Sequence, residues 1–396
     1  MDNHLYKKWA LLFLILPLCF LMQAPVNYIV DPYQLIRGDT VLADGMRFAS
    51  VGLARHHDYD SIIVGSSMTQ NFATSYINRK FNLNTVKLCI AGASAFEQNL
   101  IAREAISTGK VKCAIWGLDY FCFNTKPGSF WRGAPMYLYD RNPLKNMDWL
   151  MNSDIFTLSL KKVLFKYFHF RSREFTYSMD KLSCWYDLKR GDFNFEHYKR
   201  SWDQRVTMER NFVGGEGEEN EDGLDASLQG GALDRMKKCF DLYMYSIIKA
   251  HPEVKFYVFY PPYSLLAYQV SEKAKTDFYD YLTFKKYVFE RLSGCPNVKL
   301  YDFQANVNLA HDFSRYMDLL HYDENVNRTM VDWFAEDRYL VTKENVDQYI
   351  SELRKAVGST DPKSSLKEYD PGHPHLTLRP SSSSPSTCRA TSSPRT

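Results

Sequence analysis

The chain has 396 residues, 45% of them hydrophobic, which is enough for one large or two small domains with a well-developed core. Forty-nine basic and 46 acidic residues give a net charge of +3 without a clustered basic face, which argues against nucleic-acid binding. The cysteines show no Cys-x-x-Cys spacing, so we expect no zinc or other metal and no cofactor.

Residues 1–30 have the pattern of a membrane segment. Lys7-Lys8 precede an uncharged run from Trp9 to Met22, and the apolar character continues to residue 30. As a helix the strict run spans about 21 Å, and only the extended run reaches the ~30 Å of a bilayer core. Met22-Gln23-Ala24 matches a signal-peptide cleavage site poorly. We therefore favour an uncleaved single-pass anchor in the cytoplasmic membrane over a signal peptide, with the rest of the chain outside, in the periplasm or at the cell surface.

A Gly-Ser-Ser turn follows the first predicted strand. Ser61 to Val64 is a short β-branched apolar run, typical of a buried parallel strand, and Gly65-Ser66-Ser67 ends it. A helix is predicted to begin directly afterwards. A serine on such a turn lies at the carboxyl edge of the sheet, beside free helix N–H groups that can stabilise an oxyanion. The same serines could instead serve only to cap the helix.

The body of the chain alternates strands with helices, which predicts an α/β fold with a five-stranded parallel sheet. We predict strands near residues 60–65, 85–90, 113–118, 254–261 and 297–303, and helices near residues 68–79, 95–108, 231–250, 272–292, 323–336 and 342–357.

About 135 residues separate the third and fourth predicted strands, far more than a crossover needs. We interpret residues 124–230 as an inserted cap over the carboxyl edge of the sheet, with a helix around residues 154–168 and a mobile loop from Gly214 to Gly231. The cap could hold a glycan or a lipid-linked acyl donor, or it could be a folded embellishment only. Residues 359–396 are rich in Ser, Pro, Thr and Arg and are predicted to be disordered, which leaves residues 31–358 as the domain.

A second polar motif lies about 250 residues after the Gly-Ser-Ser turn. The segment from Tyr316 to Asn325 contains Asp-x-x-His at Asp318 and His321, just before a predicted helix. A nucleophilic serine needs a base, and the base needs a carboxylate that orients it. The motif supplies both groups.

Together the two motifs resemble those of the GDSL/SGNH hydrolase family. The resemblance makes Ser67, rather than Ser66, the nucleophile, with His321 as base and Asp318 as its partner, and it implies a three-layer flavodoxin-like fold. In the family the oxyanion hole is formed by the nucleophile's N–H, a glycine N–H and an asparagine amide. The matching positions here are Ser67, Gly92 and Asp119.

Asp119 departs from the family pattern, because an ionised carboxylate cannot donate a hydrogen bond. Two arrangements are open. Burial could keep Asp119 protonated, so that it donates in place of the missing amide. Alternatively, Asp119 could point away and form local hydrogen bonds while another group completes the hole.

These features predict a membrane-anchored, outward-facing SGNH-type esterase or O-acyltransferase. The N-terminal segment and the large insertion are most similar to the alginate O-acetyltransferase and lipoteichoic-acid D-alanylation groups. That similarity implies an envelope glycan or acyl-carrying polymer as substrate, and a membrane acyltransferase as a candidate partner. The alternative is a catalytically inactive accessory subunit of an envelope polymer-modifying complex that has kept the fold.

Overall fold

A buried parallel sheet organises the computed structural model, which describes residues 22–129, 135–139, 147–212 and 231–367. Two short strands, β1 (Leu42–Ala43) and β5 (Phe175–Thr176), pair only with each other. The remaining strands form the parallel sheet: β2 (Ser61–Gly65), β3 (Thr85–Cys89), β4 (Cys113–Gly117), β6 (Lys255–Tyr260) and β7 (Val298–Asp302). Their order is β3-β2-β4-β6-β7, as in flavodoxin-like folds. The predicted α/β class and five-stranded parallel sheet are confirmed.

Helices cover both faces of the sheet. The ring of Tyr257 contacts those of Phe81 and Phe334, whereas Tyr260 contacts Tyr281. Because residues 257 and 260 point to opposite faces of β6, these contacts define three layers. The longer helices are Met46–His56, Thr74–Phe81, Ala95–Ile106, Ser153–Phe168, Phe195–Phe212, Ala232–Phe240, Ser246–Ala250, Glu272–Leu292, Glu324–Ala335 and Val346–Ser359, and a π-helical turn, Asp241–Tyr245, joins two of them.

The helix predicted for residues 68–79 is broken in the structure. A single 3₁₀ turn, Ser67–Thr69, is followed by a separate helix, Thr74–Phe81. The backbone carbonyl of Gln70 accepts a hydrogen bond from Lys87 Nζ at 3.0 Å. A continuous helix would use that carbonyl internally, so the buried lysine favours the break.

Part of the insertion lies at the carboxyl edge of the sheet. On the helix Phe195–Phe212, the hydroxyl of Tyr198 is 2.8 Å from Ser264 Oγ, in the segment after β6. The Tyr198 ring also stacks on Phe313, which follows β7. The predicted mobile loop from Gly214 to Gly231 lies outside the described residues except for Gly231 itself, which precedes a helix.

The two ends of the chain are described only in part. Residues 22–30 form a helix, whereas residues 1–21 of the predicted anchor lie outside the described residues. Within the described segments, no helix is both long enough and apolar enough to cross a bilayer. At the other end, a short helix, Pro362–Ser365, is followed by the buried Leu366. The prediction of disorder from residue 359 is therefore wrong up to residue 367, because this leucine packs on the core; residues 368–396 are outside the described part.

Candidate active site

The Gly-Ser-Ser turn is held between the ends of β2 and β4. Thr69 donates its hydroxyl to the backbone carbonyl of Ser66 at 2.8 Å, which closes the turn. A Cβ atom at Gly65 would lie 2.7 Å from Thr69 Cγ2, and one at Gly117 would lie 2.8 Å from the same methyl group. Both glycines therefore leave room for Thr69. The turn buries Ser66 and leaves Ser67 half-buried.

The structure brings Ser67, His321 and Asp318 into one hydrogen-bonded chain. Ser67 Oγ lies 2.8 Å from His321 Nε2, and His321 Nδ1 lies 2.8 Å from Asp318 Oδ2. The carboxylate can only accept when ionised, so Nδ1–H donates to it and Nε2 is left to accept from the serine hydroxyl. This is the geometry that a serine nucleophile, a general base and an orienting carboxylate require.

The loop 316–322 fixes the two downstream members. Asp318 Oδ1 accepts hydrogen bonds from the backbone N–H groups of Leu320 and His321, each at 2.9 Å. The hydroxyl of Tyr322 donates to the carbonyl of Met68 at 2.9 Å. The bond from Tyr322 ties the loop to Met68, the residue directly after Ser67. The loop therefore holds the imidazole of His321 close to the hydroxyl of Ser67.

The Asp318 carboxylate stabilises the charged form of His321 relative to an isolated buried histidine. Burial alone would lower the pKa of His321, but the hydrogen bond and negative charge of Asp318 raise it above its ordinary value. Burial opposes the ionisation of Asp318, but the bonds from His321 and the backbone N–H groups hold its pKa below the usual range. The site can therefore accommodate the imidazolium that forms when His321 takes a proton.

Asp119 forms local hydrogen bonds, as in the second arrangement considered above. It follows β4 and is buried. Ser66 Oγ donates to its Oδ2 at 2.8 Å, and the hydroxyl of Tyr263 donates to its Oδ1. Burial raises the pKa of Asp119, while the bonds from Tyr263 and Ser66 oppose the rise. Both carboxylate oxygens are thus engaged with hydroxyl groups, which assigns Asp119 a role in supporting the turn.

Two backbone N–H groups at this edge of the sheet are candidate donors for the predicted oxyanion hole. Among the described residues, the N–H of Ser67 and that of Gly92 have no hydrogen-bond acceptor. Gly92 lies in the loop after β3 with φ +63°, at the same edge of the sheet as the turn. In addition, Asn71 Nδ2 is buried without a partner in the described part of the chain, while its Oδ1 accepts from the N–H of Tyr186 at 3.2 Å.

The insertion contributes Trp185, which the sequence did not single out. Trp185 Nε1 donates to the carbonyl of Ser67 at 3.2 Å, and its ring meets the His321 ring edge-on, with centroids 5.1 Å apart. The ring of Phe193 stacks on this indole, with centroids 5.9 Å apart. The aromatic character of the insertion was the available signal, but no spacing in it points to residue 185.

A cavity of about 540 Å³ opens beside the triad. Its wall includes Asp318 and His321, the exposed ring of Phe121, and charged side chains of both signs, including Arg205, Lys273 and Asp277. This volume is typical of small-molecule sites.

Within the described residues, no three His, Cys, Asp or Glu side chains are grouped as a metal site, and the six cysteines there are free thiols. No family model and no curated protein matches this chain.

Proposed function

We propose that this chain is a membrane-anchored, extracytoplasmic serine esterase or O-acyltransferase of SGNH type, acting on an envelope polysaccharide or polymer. The observation that carries the proposal is the continuous hydrogen-bond chain from Ser67 through His321 to Asp318. In support, His321, 254 positions along the chain, lies within hydrogen-bond distance of one serine, and its other ring nitrogen lies within hydrogen-bond distance of the Asp318 carboxylate, as a general base requires.

In the proposed reaction, Ser67 Oγ attacks the carbonyl carbon of an acyl ester while its proton passes to His321 Nε2. The negative charge on the carbonyl oxygen is stabilised by the N–H groups of Ser67 and Gly92. The ester C–O bond then breaks, and His321 returns the proton to the leaving alcohol. Water or a sugar hydroxyl attacks the acyl-Ser67 in the same way and releases an acid or a new ester.

The location and the substrate class rest on the sequence and the cavity. The Lys7-Lys8 flank ahead of an uncharged run favours an anchor with the domain outside. The cavity beside His321 combines the ring of Phe121 with polar groups, which is compatible with a glycan. A membrane protein that supplies the acyl group is the proposed partner.

One observation favours a second candidate, an accessory subunit without catalysis. Asp119 stands where the related enzymes carry an amide, and its oxygens are engaged with Ser66 and Tyr263. An oxyanion hole with one donor fewer stabilises the transition state less, typically by about 2.7–4 kcal/mol per donor.

Labelling with a fluorophosphonate probe separates the two candidates. The full chain is purified in detergent, and Ser67→Ala, His321→Ala and Ser66→Ala are compared with Ser107→Ala, a control at an exposed helix end. We expect labelling of the wild type and of Ser107→Ala, and none of Ser67→Ala or His321→Ala. Labelling that persists in Ser67→Ala but is lost in Ser66→Ala would identify Ser66, rather than Ser67, as the nucleophile. A wild type that does not react would favour the accessory subunit.

A further inference from the structure

Exposed apolar side chains are concentrated in two segments that lie side by side. Nine of the sixteen large hydrophobic side chains that are exposed in the described chain belong to residues 22–29 and 160–177. We call these nine residues the apolar face: Met22, Tyr28, Ile29, Leu160, Leu164, Tyr167, Phe168, Phe170 and Tyr177. Monomeric soluble proteins seldom leave such a group of side chains in water.

The two segments are fixed to each other through buried polar contacts on their inner sides. Asn27 is fully buried; its Nδ2 donates to the carbonyl of Leu150 at 2.8 Å, and its Oδ1 accepts from Ser159 Oγ at 2.9 Å. Lys162 Nζ donates to the carbonyl of Asp31 at 3.0 Å and pairs with Asp39 at 3.0 Å. The helix of residues 22–30 therefore has a defined orientation on the helix Ser153–Phe168.

The outer sides carry the apolar residues at helical spacing. Residues 22, 25, 28 and 29 are the exposed positions of the first helix, and all four are apolar. On the second helix, positions 160, 164, 167 and 168 form one stripe. Ile29 and Tyr167 line the same cavity of about 350 Å³. The stripes of the two helices are thus neighbours on one surface.

Basic residues border the apolar face. His169, Arg171 and Arg173 are exposed directly after the second helix, and Arg37 lies over the Tyr28 ring at 5.3 Å. Aromatic and aliphatic side chains beside Arg and Lys are the composition of helices that lie in the headgroup layer of an anionic membrane. The nearby Glu174 is paired with Lys161 at 2.6 Å, which leaves the border with excess positive charge.

The sequence that directly precedes the apolar face is itself apolar. The uncharged run from Trp9 to Met22 is continuous in sequence with the helix of residues 22–30. Because consecutive residues of an extended chain are separated by only about 3.3–3.6 Å, a bilayer that this run enters, whether or not the run spans it, lies near Met22.

We propose that the apolar face lies in the headgroup layer of a phospholipid bilayer that contains anionic lipid. The face holds the domain on the membrane in one orientation, beyond the tether that an anchor alone provides. This role concerns the surface opposite to Asn27 and is independent of any reaction at Ser67.

Photocrosslinking tests this contact. The full chain is reconstituted into phosphatidylethanolamine–phosphatidylglycerol vesicles with p-benzoylphenylalanine in place of Tyr167 or Phe168. The matched control carries it in place of Tyr279, which is 60% exposed, on the separate helix Glu272–Leu292. We expect phospholipid adducts, detected by mass, at least tenfold more abundant at positions 167 and 168 than at 279.

The charge of the border gives a second measurement. Arg171→Glu combined with Arg173→Glu should reduce adduct formation at Phe168 several-fold in these vesicles and much less in phosphatidylcholine vesicles, since only the former are anionic. Adducts between two copies of the chain at 167 and 168, or lipid adducts no more abundant there than at 279, would overturn the proposal. The yield of Ser67 labelling is not part of the readout, so an inactive triad leaves the result interpretable.

Discussion

The substitution Asp119→Asn separates support of the turn from a direct role in the oxyanion hole. The amide has nearly the shape of the carboxylate, and the hydroxyls of Ser66 and Tyr263 can each either donate or accept, so both bonds can be kept. Two charge-assisted bonds, worth about 1.5–3 kcal/mol each, become neutral ones of about 0.5–1.5 kcal/mol. Against this loss of about 2–3 kcal/mol stands the removal of a buried charge, whose desolvation costs several kcal/mol.

The direction of the pKa shift of Asp119 decides whether Asp119→Asn raises or lowers the free energy of unfolding. Burial outweighs the two bonds, because the pKa of Asp119 is raised above its ordinary 3.8. A group whose pKa is raised on folding stabilises below its unfolded pKa, and that contribution is lost as pH rises toward the folded value. Relative to Asp119→Asn, the wild type should therefore lose unfolding free energy as pH rises above 3.8, while groups common to both proteins, such as His321, cancel in the comparison. At pH 7 we expect the variant to be at least as stable as the wild type.

Urea unfolding at several pH values, together with pH–rate profiles on a chromogenic acetyl ester, provides the assay. Asp119→Ala is the control, because it leaves two buried hydroxyls without an acceptor at about 1–3 kcal/mol each. We expect Asp119→Asn to keep the shape of the rate profile. If the wild type has an alkaline limb that the variant lacks, Asp119 acts as a protonated donor to the oxyanion. If Asp119→Asn is less stable than the wild type by about 2 kcal/mol at pH 7, the desolvation of the Asp119 charge costs less than its charge-assisted hydrogen bonds contribute.

Three further predictions follow from the same contacts. The pKa of His321 is raised above its ordinary 6.5, so Ser67 labelling should fall with decreasing pH at a midpoint above 6.5; a midpoint at or below 6.5 would contradict this. Trp185→Phe removes one hydrogen bond, worth about 0.5–1.5 kcal/mol, but keeps a ring against His321, so labelling should slow less than tenfold, whereas Trp185→Ala should slow it by at least tenfold. If Trp185→Phe and Trp185→Ala slow labelling equally, the aromatic ring beside His321 does not contribute to the labelling rate. Gly117→Ala should cost about 1–3 kcal/mol in urea unfolding, and Thr69→Ser in the same chain should recover most of it by removing the methyl group; no recovery would place the clash elsewhere.

The sheet could be predicted because its strands are short apolar runs, buried on both faces and bounded by clear turn residues. Ser67, Asp318 and His321 could be selected because their residue types and chain order suffice to suggest a triad. The partners of Asp119 could not, since Tyr263 is 144 residues away and nothing in its local sequence distinguishes it from other tyrosines. Such pairings depend on how loops pack at the sheet edge, which local patterns do not encode.

The helix break near Gln70 and the role of Asn27 show the same limit. The local sequence favours a continuous helix, and the break depends on Lys87 from the neighbouring strand. In the sequence Asn27 interrupts an apolar run, and in the structure its side chain helps to fix its helix to the insertion. A polar residue in an apolar segment can thus mark a contact whose partner lies far along the chain.

The separation of the triad along the chain also matters while the protein is being made. The bond from Ser67 to His321 and the bond from Tyr322 to Met68 each close a loop of 254 residues. During synthesis from the N-terminus, the serine exists as an ordinary hydroxyl until the fifth strand of the sheet and the loop after it have emerged. A chain stopped before residue 318 contains Ser67 but lacks both Asp318 and His321. The hydrogen-bond chain from Ser67 to Asp318 can therefore form only once nearly the whole domain has been translated.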